Sequence, residues 1–192
     1  MIRTENFAQV PIESLDDLCA WLAQNHDSTE SVWIVRYQKS VPDKFVDRLD
    51  MLDELLCWGW VDGLARKLDD TRTMQLISRR KQQAWSQTYK DRVYHLTAAG
   101  RMAAPGLAAV AQSRALGLWD AYEKVDLLEV PQDLRAALDA QPAAAVFFDA
   151  AAPSYRRNVL RWIHSAKRPE TRTARIEKTL EASTNETKIP QM

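Results

Sequence analysis

The feature that most constrains the fold is the segment at residues 57–63, CWGWVDG, because the hydrophobic period changes across it. The residues before it place four leucines on one face of a helix, Leu49, Leu52, Leu55 and Leu56. Gly59 can adopt the positive φ that ends a helix and lets the chain reverse into Trp60 and Val61. The segment therefore predicts a corner between a helix and a strand.

The residues before this helix predict one more helix and one strand. Ser14 followed by Asp17 resembles a capping box, and apolar residues at helical spacing then predict a helix over residues 15–24. Residues 31–38 alternate in the manner of a strand. Residues 39–44 contain Pro42 and are expected to form a loop.

Two extended segments follow the corner, residues 61–68 and 72–79. They flank the sequence DDT at 69–71, whose side chains favour turns. This pattern predicts a β-hairpin, and together with the earlier strand it predicts an antiparallel sheet of three or more strands.

The second half of the sequence predicts helices only. Ser86 is the candidate N-cap of a third helix that Gly100 ends, and a fourth helix runs from Pro105 to Gly117. Four later prolines each stand where a new helical run begins, the position at which a missing N–H costs nothing: Pro131, Pro142, Pro153 and Pro169.

These patterns predict an α+β fold in which a small antiparallel sheet with helices is followed by an all-helical part. We place an α+β domain at residues 1–125, a helical region packed against it at residues 126–183, and a flexible tail at residues 184–192. The tail is expected to fray because it has few apolar side chains.

The composition favours a globular protein of the cytoplasm. The chain has 192 residues, of which 46% are hydrophobic, enough for a core of ordinary size. It shows no signal-peptide pattern and no apolar run of membrane-spanning length. Its two cysteines, Cys19 and Cys57, lie far apart in helical patterns, which suits reduced thiols better than a disulfide.

Charge is segregated along the chain although the formal net charge is zero. Residues 1–70 carry 7 basic and 14 acidic side chains, whereas residues 71–101 carry 7 basic and one acidic. Residues 102–150 are again acidic and residues 151–192 basic. The segments either pack side by side as an ordinary solvated surface, or the basic ones form an anion site.

The sequence offers little support for metal binding or for a catalytic constellation. The three histidines, His26, His95 and His164, lie in separate predicted elements, and no metal-binding or phosphate-loop motif occurs. We expect no metal and no cofactor. Cys57 is interpreted as a buried thiol, because the end of a helix disfavours a thiolate. His95, four residues after Asp91, is either part of a surface ion pair or a general base.

A basic and aromatic cluster is the candidate binding site, and it lies next in sequence to Trp58, Trp60 and Asp62. Its members are Arg72, Arg79, Arg80, Lys81, Trp85, Lys90 and Arg92. Arginine beside tryptophan can bind an anion or stack on a planar ring, but aromatic residues of a small sheet also form its core. Asp62 can cap the turn at Gly63, pair with an arginine such as Arg79, or contact a ligand.

Several short motifs occur along the chain in a fixed order and spacing. They are LCWGWVDG at 56–63, Arg79, WS at 85–86, RV at 92–93, GRMAAPGL at 100–107, SYRR at 154–157 and AKRPETR at 166–172. In this order and spacing they resemble the YdeI/OmpD-associated proteins, also called the bacteriocin-protection family. The resemblance extends from about residue 7 to residue 180, and its last third is similar to the part that usually carries the bacteriocin-protection name.

The resemblance implies a role in bacterial stress resistance, to bacteriocins or peptides, and implies no particular reaction or cofactor. The sequence departs from the family pattern at three positions. Ser78 and Lys81 stand where relatives commonly have prolines around the arginine that Arg79 matches. Tyr89 stands where they often have asparagine in the third helix.

Three functional hypotheses follow from these residues. The leading one is the binding of an anionic small molecule or partner by Trp60, Asp62, Arg79, Trp85, Lys90 and Arg92. The second is a small-molecule enzyme with Asp62 or His95 as general base in a pocket covered by the tryptophans. The third is a module for single-stranded nucleic acid, whose binding would weaken steeply with salt.

Overall fold

Four strands form a mixed sheet in the N-terminal part of the computed structural model, which describes residues 6–190. They are β1 (Gln9–Pro11), β2 (Val32–Tyr37), β3 (Trp60–Lys67) and β4 (Arg72–Arg79), in the spatial order β1-β2-β4-β3. The predicted hairpin is confirmed, since β3 and β4 pair antiparallel, and β2 pairs antiparallel with β4. The three predicted strands therefore form the antiparallel arrangement expected of them, and the structure adds β1, which pairs parallel with β2 and makes the sheet mixed. A strand of three residues is too short to show an alternating pattern.

Four helices accompany the sheet: α1 (Leu15–Asn25), α2 (Arg48–Cys57), α3 (Gln87–Ala98) and α4 (Ala104–Ala115). The predicted capping box is confirmed at α1, where Asp17 N donates to Ser14 Oγ over 3.1 Å and Glu13 N donates to Asp17 Oδ2 over 2.9 Å. Ser86 occupies the N-cap position of α3, but its side chain makes no capping hydrogen bond. A single 3₁₀ turn, Pro42–Lys44, lies in the predicted loop.

Two apolar clusters hold this part together. The first joins α1, α2 and the sheet, and contains Leu18, Leu55, Trp60 and Ile77. The second lies between α2, α3 and α4, and contains Leu56, Trp85, Val93, Val110 and Trp119. Helix α2 contributes to both clusters, so the corner at its C-terminal end is held from two sides.

The predicted corner is confirmed, and it packs directly on the start of α4. Gly59 has φ +75° and follows the last turn of α2. Ala103 N donates to Cys57 O over 3.1 Å. A Cβ on Gly106 would lie only 2.2 Å from the same carbonyl oxygen. The absence of a side chain at Gly106 therefore lets α4 approach the corner.

The C-terminal part is helical, as predicted, with α5 (Glu123–Asp126), α6 (Gln132–Asp139), α7 (Pro142–Ala150), α8 (Pro153–His164) and α9 (Pro169–Thr184). Three of these helices begin at a proline, and Pro131 is the N-cap of α6, so the positions of the prolines are explained. Its core includes Leu138, Phe148, Val159 and Ile163. The chain thus has the α+β class expected from its sequence.

The chain divides into two compact units, Met1–Asp120 and Ala121–Met192, whereas we placed the domain boundary after residue 125. In the segment predicted as a flexible tail, α9 reaches Thr184 and the side chain of Ile189 is 9% exposed. Ile189 N donates to the hydroxyl of Tyr155 over 3.2 Å. Residues 191–192 lie outside the described residues, and the flexibility of the tail stays a prediction.

Among residues 6–190, no helix combines the length and the apolar character that a membrane-spanning helix needs.

Candidate anion-binding site

A cavity of 580 Å³ opens beside the loop that connects β4 to α3. Every charged side chain that lines it is a cation, and the other lining residues are neutral and polar. The lining consists of Thr29, Arg79, Arg80, Lys81, Gln82, Gln83 and Gln112.

Backbone hydrogen bonds fix both ends of the loop. Arg80 N donates to Gly59 O over 2.9 Å, so the loop starts from the corner, and Trp85 N donates to Leu118 O over 3.2 Å. Within the loop, Lys81 N donates to Gln83 Oε1 over 2.7 Å. The cationic side chains are therefore presented by a constrained segment.

Arg80 is the most unusual residue of the site, because only 5% of it is exposed. Its Cζ lies 3.8 Å from the centre of the Trp85 ring, a stacked arrangement. Its Nη1 donates to Gln83 O over a long 3.4 Å, and its Nε has no hydrogen-bond partner among residues 6–190. Burial lowers the pKa of Arg80 to about 10, since the charged guanidinium has lost most of its water.

The Trp85 ring, on which the Arg80 guanidinium stacks, is held in place by two contacts of its own. Its Nε1 donates to Ser113 Oγ over 2.7 Å, and its ring lies 4.9 Å from the ring of Trp119. Trp85 is thus a core residue whose open face is taken by Arg80.

The carboxylate of Asp62 interacts electrostatically with Arg80 and is held in place by a tyrosine. The hydroxyl of Tyr89 donates to Asp62 Oδ1 over 2.5 Å, and Arg48 Nη2 donates to Oδ2 over 3.4 Å. Burial, and then the hydrogen bond to Asp62, raise the pKa of Tyr89 to about 12. The Tyr89 ring lies 5.4 Å from the Cζ of Arg80, and both Tyr89 and Asp62 favour the charged form of that arginine. Asp62 therefore pairs with an arginine, one of its predicted alternatives, and this arginine is Arg48 instead of Arg79.

Of the six residues predicted to bind a ligand, Arg79 lines the cavity, and its Nη1 donates to Asp27 O over 3.3 Å. Trp60 is fully buried and meets Trp21 edge to face at 5.4 Å, so it belongs to the core. Lys90 is buried and pairs with Asp120 over 3.0 Å.

Arg92 contacts the carboxylate of Asp53, and its Nη1 lies 3.5 Å from Leu49 O. The structure therefore brings Asp62, Trp85 and Arg79 around Arg80. It places Trp60, Lys90 and Arg92 in other interactions.

The sequence placed Arg80 in the basic and aromatic cluster but not among the six residues of the leading hypothesis, and it did not identify Gln112 or Tyr89 as members of the site. Arg80 stood in the basic cluster without any signal that it is buried. Gln112 reaches the cavity from α4, and no local pattern connects it with the loop. Tyr89 was noted only as a departure from the family pattern, yet it links Asp62 to Arg80.

A second depression, of 470 Å³, lies at α3 and includes His95 and Asp91. Asp91 accepts a hydrogen bond from Gln87 over 2.7 Å. The charged side chains Arg92 and Arg101 at this depression contact the carboxylates of Asp53 and Glu54. Its cations thus already have counter-ions, which distinguishes it from the cavity at Arg80.

Both cysteines are free thiols. Burial, and after it the neighbouring Glu54, raise the pKa of Cys57 to about 11 and that of Cys19 to about 12. No group of three or more His, Cys, Asp or Glu side chains within the described part of the chain could hold a metal ion.

Two family models match the chain. Residues 10–109 match a model described as a domain of unknown function (DUF8412), and residues 127–185 match one described as bacteriocin-protection, YdeI or OmpD-associated. The resemblance expected from the sequence is confirmed over residues 127–185, the last third of the chain. Neither a curated protein nor a solved structure matches. Six of the seven residues that line the cavity fall within residues 10–109, and Gln112 follows closely.

Proposed function

We propose that the N-terminal unit of this chain, which belongs to the family of the domain of unknown function (DUF8412) and whose residues 127–185 match the bacteriocin-protection, YdeI or OmpD-associated model, binds a small anion. The binding site is the cavity beside the loop from β4 to α3. The single observation that supports this function is the state of Arg80.

A buried arginine normally has a carboxylate partner, because removing its charge from water is costly. Arg80 has no ion pair among residues 6–190, and its one side-chain hydrogen bond is 3.4 Å long. The negative charge of Asp62 compensates part of the Arg80 charge, but no salt bridge joins the two side chains in the described part of the chain. An anion in the cavity would provide the acceptor that the guanidinium lacks.

Arg79 and Lys81 add two more positive charges to the cavity, and both are exposed. No carboxylate of the described residues lines the cavity, so none of them cancels these charges at the site itself. Arginine and lysine together favour oxyanions, since the guanidinium offers a planar fork and the ammonium a point charge. The expected affinity is therefore selective for phosphate or carboxylate groups over chloride.

The test is isothermal titration calorimetry with inorganic phosphate at constant ionic strength, using the full chain. We expect saturable binding that weakens about tenfold in Lys81→Ala, because a charge contact to phosphate is lost. The matched control is Lys67→Ala, which removes the same charge at the other end of the hairpin. Residues 67 and 79 are separated by the length of strand β4, roughly 20 Å.

Two results decide the proposal. Phosphate that binds the wild type and Lys67→Ala alike, but binds Lys81→Ala more weakly, supports it. Phosphate that fails to bind the wild type, or that binds all three proteins equally, refutes it.

We also propose that this binding takes place in the cytoplasm. The support is that Cys19 and Cys57 are free thiols, which a reducing compartment preserves. Cell fractionation of an expressed, tagged full-length chain tests this placement, and recovery in an exported fraction would contradict it.

A further inference from the structure

We infer that the bound anion is the phosphate group of a small, hydroxylated, non-aromatic compound of the sugar phosphate class. This inference rests on the anion-binding function proposed above, and it names the ligand of the same site. Three properties of the cavity support this inference. Its lining has a cationic part and a neutral part, none of the described residues adds an accessible aromatic ring to that lining, and its volume suits a small molecule.

The lining of the cavity has a cationic part and a neutral part. The cationic part consists of Arg79, Arg80 and Lys81, and the neutral part of Thr29, Gln82, Gln83 and Gln112. Amides and hydroxyls both donate and accept hydrogen bonds, which is what the hydroxyl groups of a sugar require. A simple inorganic anion would use only the cationic part.

The orientation of one amide supports this division. Gln83 Oε1 accepts the hydrogen bond of Lys81 N over 2.7 Å, and Gln83 O accepts the hydrogen bond of Arg80. With its oxygen engaged, the amide of Gln83 has its two N–H groups as donors. Gln112 is an exposed residue of α4, and its side-chain amide offers both an acceptor oxygen and N–H donors to the cavity.

Among residues 6–190, no aromatic side chain lines the cavity. The ring of Trp85, beside Arg80, has its face covered by the Arg80 guanidinium at 3.8 Å and its Nε1 bound to Ser113. Nucleobases are usually held by stacking on such rings, so the site lacks the element that recognises a base. This distinguishes a sugar phosphate from a nucleotide and from single-stranded nucleic acid.

The cavity volume of 580 Å³ lies within the range of roughly 300–1,000 Å³ that is usual for small-molecule sites. It is therefore large enough for a compound that extends beyond the phosphate group. The phosphate is placed at Arg80, and the hydroxylated part at the glutamines.

Calorimetry of the full chain with ribose 5-phosphate, inorganic phosphate and AMP tests the inference. AMP is the matched probe, because it carries the same pentose phosphate with an added base. We expect ribose 5-phosphate to bind about tenfold more tightly than phosphate, the value of one or two hydrogen bonds. AMP is expected to bind no more tightly than ribose 5-phosphate.

Two variants separate the parts of the site. Gln112→Ala, at an exposed helical position that should not affect folding, is expected to lower the affinity for ribose 5-phosphate more than the affinity for phosphate. Lys81→Ala is expected to weaken both. Equal affinities of the wild type for phosphate and ribose 5-phosphate would overturn the inference but not the proposed anion site. AMP binding tenfold more tightly than ribose 5-phosphate would have the same consequence. A wild type that binds none of the three probes refutes the proposed function as well.

Discussion

Replacing Gly106 by alanine should destabilise the N-terminal unit, although alanine is the better helix former. Gly106 lies in the first turn of α4, where helix propensity alone would reward the change by up to about 1 kcal/mol. The added Cβ would lie 2.2 Å from Cys57 O and 2.8 Å from Leu56 O. Because real Cβ contacts stay above 3.0 Å, α4 must move from the corner by at least about 0.8 Å.

The cost of that movement can be estimated from the contacts it breaks. Overpacking costs about 1–3 kcal/mol, and the hydrogen bond from Ala103 N to Cys57 O is worth about 1 kcal/mol. Against the gain in propensity, the net loss of unfolding free energy is about 1–3 kcal/mol. The same movement displaces Ser113, which orients Trp85 under Arg80, so phosphate binding should weaken too.

Urea unfolding followed by tryptophan fluorescence measures this loss, because six of the seven tryptophans belong to the N-terminal unit and only Trp162 to the other. The control is Gly100→Ala, where φ is +68° and no atom lies within 4 Å of the added Cβ. It should cost about 1–2 kcal/mol from backbone strain alone and leave phosphate affinity unchanged. A Gly106→Ala variant as stable as the wild type, or more stable, would refute the packing argument.

Two further predictions concern the charge behind the site and the thiols. Asp62→Asn should tighten phosphate binding about two- to fivefold, because it removes a negative charge that interacts with Arg80, and weaker binding measured by calorimetry would contradict this role. Cys19 and Cys57 have pKa values raised to about 12 and about 11, so both remain protonated at pH 8. Their alkylation by iodoacetamide, followed by mass spectrometry, should be slow at pH 8 and accelerate as the pH rises toward 11; fast modification at pH 7 would disprove the predicted protonation state.

The helices and the hairpin could be predicted because their signals are local. The positive φ of Gly59, the capping box at Ser14 and the prolines at the helix starts all act within a few residues. Strand β1 could not be predicted, because Gln9–Pro11 gains its strand character only from pairing with β2. The close approach at Gly106 depends on a backbone carbonyl almost fifty positions away, and no periodicity reveals it.

The candidate site could be predicted as a basic region but not as an arrangement. The sequence placed arginines beside tryptophans, and two interpretations stayed open, core and ligand site. The structure divides the residues between them, with Trp60 in the core and Arg79 at the cavity. Which arginine of the pair at 79 and 80 turns inward depends on the strand register and on the ring of Trp85, and both are tertiary properties.

The most direct test of the central claim is an NMR measurement of the Arg80 side chain during titration with phosphate. The Nε–H of Arg80 is buried, so its proton should exchange slowly with water and give a resolved signal that is absent in Arg80→Lys. We predict that this signal shifts with phosphate and saturates at the dissociation constant found by calorimetry. An Arg80 signal that stays in place while phosphate saturates the protein would contradict the claim that this buried guanidinium binds the anion.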